Sequence, residues 1–178
     1  MATVTIREAA TSDDFAGFGR LVVTYEGWLR DRYATTPGFV DGVLAHQDLA
    51  AELTSLPERY GPPHGATMLA EQGDLLVGAV AYHDLGDGTC EMKRMYVDDA
   101  VQGQGIGRRL CVALVDRATA AGFSAMRLDT GRLNTEAMAL YESLGFRERG
   151  AYRDYPDHVV EHLRFFERPL ETPPTDVS

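Results

Sequence analysis

Apolar and polar positions alternate from Val4 to Arg7, which is the two-residue period of a short strand. The period then lengthens. Phe15, Phe18, Leu21, Val22, Tyr25 and Leu29 recur at helical spacing and predict a helix from Asp14 to about Arg32, with Ser12 or Asp13 as its cap. Pro37 and Gly38 interrupt it, and a second amphipathic segment runs from about Val43 to Leu53, ahead of Pro57 and the Gly61-Pro62-Pro63 breaker. From Thr67 the strand period returns: Thr67 to Glu71, a Gln72-Gly73-Asp74 turn, Leu75 to Leu85, a Gly86-Asp87-Gly88 turn, then Cys90 to Val97. Two such turns imply an antiparallel meander. In its third strand Cys90 and Met92 alternate with Glu91 and Lys93, but Arg94 follows Lys93 directly and Met95-Tyr96-Val97 is apolar without a break. A slip of this kind is what a β-bulge produces.

Ile106, Leu110, Leu114, Val115 and Ala118 mark a helix from about Gly105 to Ala121, ended by Gly122. Ala125 to Thr130 reads as strand, Thr135 to Leu144 as helix with Gly145 past its end, and Phe146 onward as strand. A final strand is expected from about Val160 to Leu170, and a disordered tail over 171–178. Together these elements predict an α+β fold (α/β/α layered) around one mixed, mostly antiparallel sheet of about six or seven strands. With no repeat and no dividing linker, 1–170 reads as one domain, in which 1–66 supplies the first strand and two helices and 67–170 the core. The helix between the Cys90 and Ala125 strands makes a βαβ crossover, so those strands should be parallel neighbours. A crevice at their carboxyl ends is a favoured ligand site.

Composition narrows the class. The hydrophobic share of 44% and charged share of 25% are those of a soluble globular protein. No apolar run approaches the ~18 residues of a membrane span, and Met1 to Arg7 lacks the basic stretch and apolar block of a signal peptide. A cytoplasmic protein without membrane association is expected. Cys90 and Cys111 lie among apolar residues, and neither they nor His46, His64, His83, His158 and His162 show metal-ligand spacing. Both cysteines read as core residues, and no metal is expected. A formal charge of -10 argues against a nucleic-acid partner and leaves room for a cationic one.

The chemistry concentrates in Gln102-Gly103-Gln104-Gly105-Ile106-Gly107-Arg108-Arg109. Its glycines allow close backbone approach to a ligand, and the helix that starts there presents free N–H groups and a positive dipole end, a natural seat for phosphate. Two arginines in a first helical turn oppose that dipole, which a diphosphate would offset. An ordinary glycine-rich connection is the alternative. No Lys-Ser or Lys-Thr follows, as a P-loop requires, and the loop follows a meander rather than opening a doubly wound nucleotide domain.

Gln102-x-x-Gly105-x-Gly107 matches the motif Q/R-x-x-G-x-G/A, preceded by the strand Glu91 to Val97. Ala137-Met138-Ala139-Leu140-Tyr141-Glu142-Ser143-Leu144-Gly145-Phe146 is similar to A-x-x-L-Y-x-x-x-G-F, with Asn134 just ahead of it. Over about Thr67 to Leu170 the chain thus resembles the GCN5-related N-acetyltransferase (GNAT) superfamily. The resemblance implies the acyl-CoA N-acyltransferase fold and acetyl-CoA as co-substrate. Its pantetheine arm would pair with backbone of Met95, Tyr96 and Val97, its pyrophosphate would lie on Gln102, Gly103, Gln104, Gly105, Ile106, Gly107 and Arg108, and Asn134, Ala137 and Tyr141 would also contact it.

The resemblance also implies direct attack by an amine through a tetrahedral intermediate, with an oxyanion stabilised by a bulge N–H. Glu91 is similar to the family's general base, its alternative being a solvated strand residue. Tyr141 matches the family's general acid, its alternative being a core aromatic. The resemblance implies an acceptor pocket near Tyr25, Trp28, Tyr33, Phe39, Tyr152 and Tyr155, their alternative being packing residues, and Asp129 either anchors a cationic acceptor or serves a capping or turn role. The expected activity is acetyl transfer to a primary amine of a small molecule. The alternatives are a protein or peptide N-terminus or lysine as acceptor, and a non-catalytic coenzyme-A-binding sensor. A homodimer is compatible with this reading.

Overall fold

The protein is described from a computed structural model over residues 3–171; the expected disordered tail lies, from residue 172 onward, outside the described residues. The chain opens with β1 (Val4–Glu8) and α1 (Ser12–Arg32). The cap of α1 is Thr11, one position ahead of the expected Ser12 or Asp13. Thr11 and Asp14 close a reciprocal capping box in which Thr11 Oγ1 accepts from Asp14 N at 3.1 Å and the Asp14 carboxylate accepts from Thr11 N at 3.0 Å. The single amphipathic segment expected over 43–53 is instead three short helices, α2 (Phe39–His46), α3 (Leu49–Leu53) and α4 (Leu56–Tyr60). Asp48 makes the first break. It takes a left-handed φ of 50° and turns its carboxylate onto Ala51 N, a conformation that Asp tolerates and most residues do not.

The meander is β2 (Gly65–Gln72), β3 (Leu75–Asp84) and β4 (Thr89–Val97). A 3-10 turn (Asp99–Val101), α5 (Ile106–Ala120), β5 (Ala125–Gly131) and α6 (Thr135–Ser143) follow. The chain then forms β6 (Arg147–Arg149), α7 (Asp157–Val160) and β7 (Leu163–Pro169). The last strand therefore starts later than expected, because 157–160 is helical. All seven strands form one mixed sheet in the order β1-β2-β3-β4-β5-β7-β6, with β4 and β5 parallel and every other pair antiparallel.

Alternate side chains send each strand into two cores. Met68, Val80, Met92 and Phe166 join Leu110, Leu114 and Tyr141 under α5 and α6, while Leu69, Ala79, Ala81 and Phe165 join Phe18, Leu44 and Val159 under the N-terminal helices and α7.

The expected bulge is present. Ala79 pairs with Tyr96 and Ala81 with Lys93, so β4 carries one extra residue there, and Arg94 takes a left-handed φ of 57°. Its guanidinium is held by Glu52 of α3 through two hydrogen bonds of 2.8 Å, with both side chains buried. The β4–β5 pairing ends ahead of this kink, confined to Thr89, Cys90 and Glu91 against Ala125, Met126 and Arg127. Removing one partner of a buried ion pair strands the other charge. Glu52→Ala is expected to lower stability by about 3–5 kcal/mol in chemical denaturation, far more than an exposed control such as Glu58→Ala.

Candidate active site

Where β4 and β5 part, a cleft of about 720 Å³ opens between α1, β4, α5 and α6. Its floor is Met95, Tyr96 and Val97, whose strand edge toward β5 has no ladder partner. One end is the glycine loop. Gly103 and Gly105 have φ of 77° and 71°, a region that costs an ordinary residue roughly 1–2 kcal/mol. Gly105 is the N-cap of α5 and offers no side chain, and the first turn of α5 holds no acid. In α1, by contrast, a capping box and two aspartates occupy that place. The first amides of α5 are thus left for a ligand.

Gly107 packs against the bulged strand, and a Cβ there would lie 2.8 Å from Met95 Cε. Arg108 lies on the cleft wall and donates to Ser143 Oγ at 2.9 Å. Arg109 turns away and donates to Val4 O at 2.9 Å, tying α5 to β1. Gln102 is on the wall and bonds Asp99, whereas Gln104 is exposed and not among the lining residues. This departs from the expectation that Gln104 faces a cofactor.

Asn134, Ala137 and Tyr141 line the opposite wall. Asn134 is buried, its Nδ2 donating to Thr130 Oγ1 at 3.2 Å and its Oδ1 accepting from Tyr33 Oη at 3.2 Å. From α1, Tyr25 stacks on Trp28 with ring centroids 6.0 Å apart and meets Tyr96 at 5.9 Å, and the Arg32 guanidinium lies 5.0 Å over Trp28. Trp28 and Arg32 thus belong to the cleft wall.

A second, deeper chamber of about 60 Å³ adjoins the cleft, and Tyr25, Met95, Thr130 and Tyr141 line both. Its other walls combine apolar side chains such as Leu44, Met92 and Leu128 with the polar Lys93, Arg94, Asp129 and Gln47. Tyr141 is buried, packs on Phe146 and Phe166, and has no hydrogen-bond partner among the described residues. Burial pushes its hydroxyl well above the ordinary tyrosine value.

Glu91 is 0% exposed, which overturns its reading as a solvated strand residue. Its Oε1 accepts from Tyr152 Oη at 2.8 Å and lies 3.6 Å from Lys93 Nζ. Its Oε2 accepts from His83 Nε2 at 2.8 Å and from Arg153. It lines neither the cleft nor the chamber, and neither does Tyr152. Burial pushes the Glu91 carboxyl up, but the Lys93 charge, the His83 hydrogen bond and the Arg153 charge outweigh it and hold the group at about 2.

Asp129 does line the chamber. Its Oδ2 accepts from Tyr155 Oη at 2.8 Å and from Lys93 Nζ at 3.4 Å, and Tyr155 accepts in turn from Gln47 Nε2 at 2.9 Å. Sequence reasoning missed Lys93, although it stands two residues after Glu91 and period-2 alternation puts both on one face. It also missed His83, Gln47 and Arg153, which arrive from separate segments and carry no local signal. Cys90 and Cys111 are buried as expected, and burial raises both thiols to about 12. Among the described residues no cluster of His, Cys, Asp or Glu could hold a metal, and no helix is long and apolar enough to cross a membrane.

Comparison with known proteins agrees with this fold. A family model described as "Acetyltransferase (GNAT) family" matches residues 41–146. The chain is 37% identical over 124 residues to an uncharacterised N-acetyltransferase of Schizosaccharomyces pombe, covering 68% of this chain and 76% of that protein. It is 43% identical over 94 residues to an IAA acetyltransferase of Azospirillum brasilense, covering 52% and 59%. Among solved structures, a Klebsiella pneumoniae protein described as an acyl-CoA N-acyltransferase superposes with a TM-score of 0.70 at 26% identity, covering 96% of this chain and all of that one. The PaiA N-acetyltransferase of Thermoplasma acidophilum, solved with coenzyme A, gives 0.66 at 16% identity, covering 94% and 99%, a likeness of fold.

The Glu91 network predicts an acid response. A carboxyl whose folded pKa lies below its ordinary 4.5 stabilises the fold above that value, and the contribution is lost as pH falls from about 4.5 toward about 2. Thermal melts should therefore drop over this interval, and the drop should be smaller in Glu91→Gln, whose amide does not titrate.

Proposed function

Because the chain belongs to the acetyltransferase (GNAT) family and is an acetyl-CoA-dependent acyltransferase, we propose that it moves an acetyl group from acetyl-CoA to a primary amine of a small molecule. In this reading the uncapped first turn of α5, with Gly103, Gly105, Ile106, Gly107 and Arg108, holds the pyrophosphate. Met95, Tyr96 and Val97 take the pantetheine arm along their unpaired edge, as an added strand would lie. Asn134 and Ala137 close the far wall, and Gln102 supports the loop from its bond to Asp99.

The thioester then sits where cleft and chamber meet. A backbone N–H at the bulge stabilises the oxyanion, a contribution worth roughly 3 kcal/mol per donor. Tyr141 donates its proton to the departing sulfur from its place on the wall shared by cleft and chamber. Tyr25, Trp28 and Asp129 stand on the acceptor side, and Glu91 acts at one remove, through Lys93. The observation that carries the reading is Tyr141, an unpartnered hydroxyl on the wall common to both spaces. A chamber of about 60 Å³ supports a slender amine over the backbone of a peptide.

The test follows free thiol released from acetyl-CoA against a panel of amines, amino acids and peptides. Wild type should bind coenzyme A in calorimetry and release thiol fastest with a small primary amine. Tyr141→Phe should lower kcat by about 10²-fold with coenzyme A affinity unchanged. Wild type that fails to bind coenzyme A would refute the reading, and full activity in Tyr141→Phe would remove the acid role.

A further inference from the structure

An amine that is protonated at neutral pH must lose a proton before it can attack. The sheet itself carries two carboxylates beside Lys93, Glu91 on β4 and Asp129 on β5, and their hydrogen bonds distinguish them. Glu91 has both oxygens engaged, by Tyr152 and Lys93 on one and by His83 and Arg153 on the other, and it lines neither cavity. Asp129 lines the chamber and engages only Oδ2; its Oδ1 has no hydrogen-bond partner among the described residues.

The bonds behind Asp129 have a fixed direction. Tyr155 has one proton, and the ionised carboxylate at 2.8 Å can only accept it. The side of Gln47 facing Tyr155 must therefore be its N–H, as the structure has it at 2.9 Å. Gln47 orients Tyr155, Tyr155 and Lys93 orient Asp129, and Oδ1 is left as the available acceptor, an arrangement of base and supporting groups that suits proton abstraction.

We propose that Asp129 Oδ1, and not Glu91, takes the proton from the acceptor amine, with Glu91 as a positioning residue that fixes Lys93. This rests on the acetyl-transfer reading above. The nitrogen enters as an ammonium with three protons and leaves as an amide with one. One proton goes to Asp129. As the C–N bond forms and the C–S bond breaks, Tyr141 gives its proton to the sulfur and is refilled by the second proton from nitrogen. Asp129 then returns its proton to solvent, so that each turnover releases one. The charged and titratable groups around Asp129 are Lys93 from β4, Tyr25 from α1, Tyr141 from α6, and Tyr152, Arg153 and Tyr155 from the loop before α7.

The test measures kcat/KM against pH for the panel amine that wild type acetylates fastest, in wild type, Asp129→Asn, Tyr155→Phe and Glu91→Gln, with coenzyme A affinity as a check on the cofactor half. Asp129→Asn should lose about 10²–10³-fold at pH 7 and recover toward wild type as pH approaches the amine's own pKa, where free amine no longer needs a base. Tyr155→Phe should show a smaller loss with the same trend, and coenzyme A affinity should hold in both. A loss in Asp129→Asn that is absent, or equal at every pH, overturns the proposal. So does a loss rescued by high pH in Glu91→Gln alone. Failure of wild type to bind coenzyme A would instead overturn the reading beneath it, and this assignment with it.

Discussion

An extra residue in the middle of β4 decides what the rest of the sheet can do. Parallel neighbours normally stay paired along their length, and a sheet in which β4 followed β5 beyond Glu91 would have no room for a ligand between them. β4 stays with β5 for three paired positions, and the bulge at Arg94 follows within three residues of the last. A non-glycine residue at positive φ costs of order 1–3 kcal/mol, and the buried Arg94–Glu52 pair holds the strained residue in place. Past the kink the strand edge is unpaired, Met95 lies beneath Gly107, and the N-terminus of α5 stands at the mouth of the opening. Because Glu52 belongs to α3, the short helices are also tied to the bulge.

Behind the opening the sheet carries charge where apolar side chains would be ordinary. Lys93 lies between Glu91 and Asp129, and the remaining bonds come from β3, from the end of α2 and from the loop before α7. Such networks contribute little net stability, since desolvation cancels much of the attraction. What they confer here is direction. Each bond fixes which oxygen of a carboxylate is occupied, and that accounting leaves Asp129 with an unengaged oxygen and Glu91 with none.

Local features of the fold were legible because local chemistry determines them. The meander follows from alternation and from turns at Gly73 and at Gly86 and Gly88; the crossover from the helical period after Gly105; the bulge from two charged residues in succession. Where neighbouring residues offer equivalent signals, the reading slipped by a position, as at Thr11, whose advantage is the acid three residues on. Asp48 broke an apparent helix because a left-handed Asp can cap the next one, which periodicity does not register. Glu91 failed for a different reason. Alternation assigns faces, and a charged face normally means water, but β4 is central with helices on both sides. Glu91, Lys93 and Arg94 are therefore all buried.

The two halves of the site differ in the same way. The side proposed for the cofactor is made of backbone: φ values at two glycines, free amides at a helix start, an unpaired strand edge. Each is encoded within a few residues, and together they are compatible with many surrounding sequences, which is why the fold is retained at 16% identity in a structure that holds coenzyme A. The side proposed for the acceptor is made of side chains that converge from α1, α2, β4, β5, α6 and β7. No short stretch contains it, and its polar character depends on pairings such as Gln47 with Tyr155, separated by 108 residues. A substitution at one of these positions changes which atoms remain unpaired at the others. Acceptor choice in this architecture can thus shift while the cofactor half stays as it is.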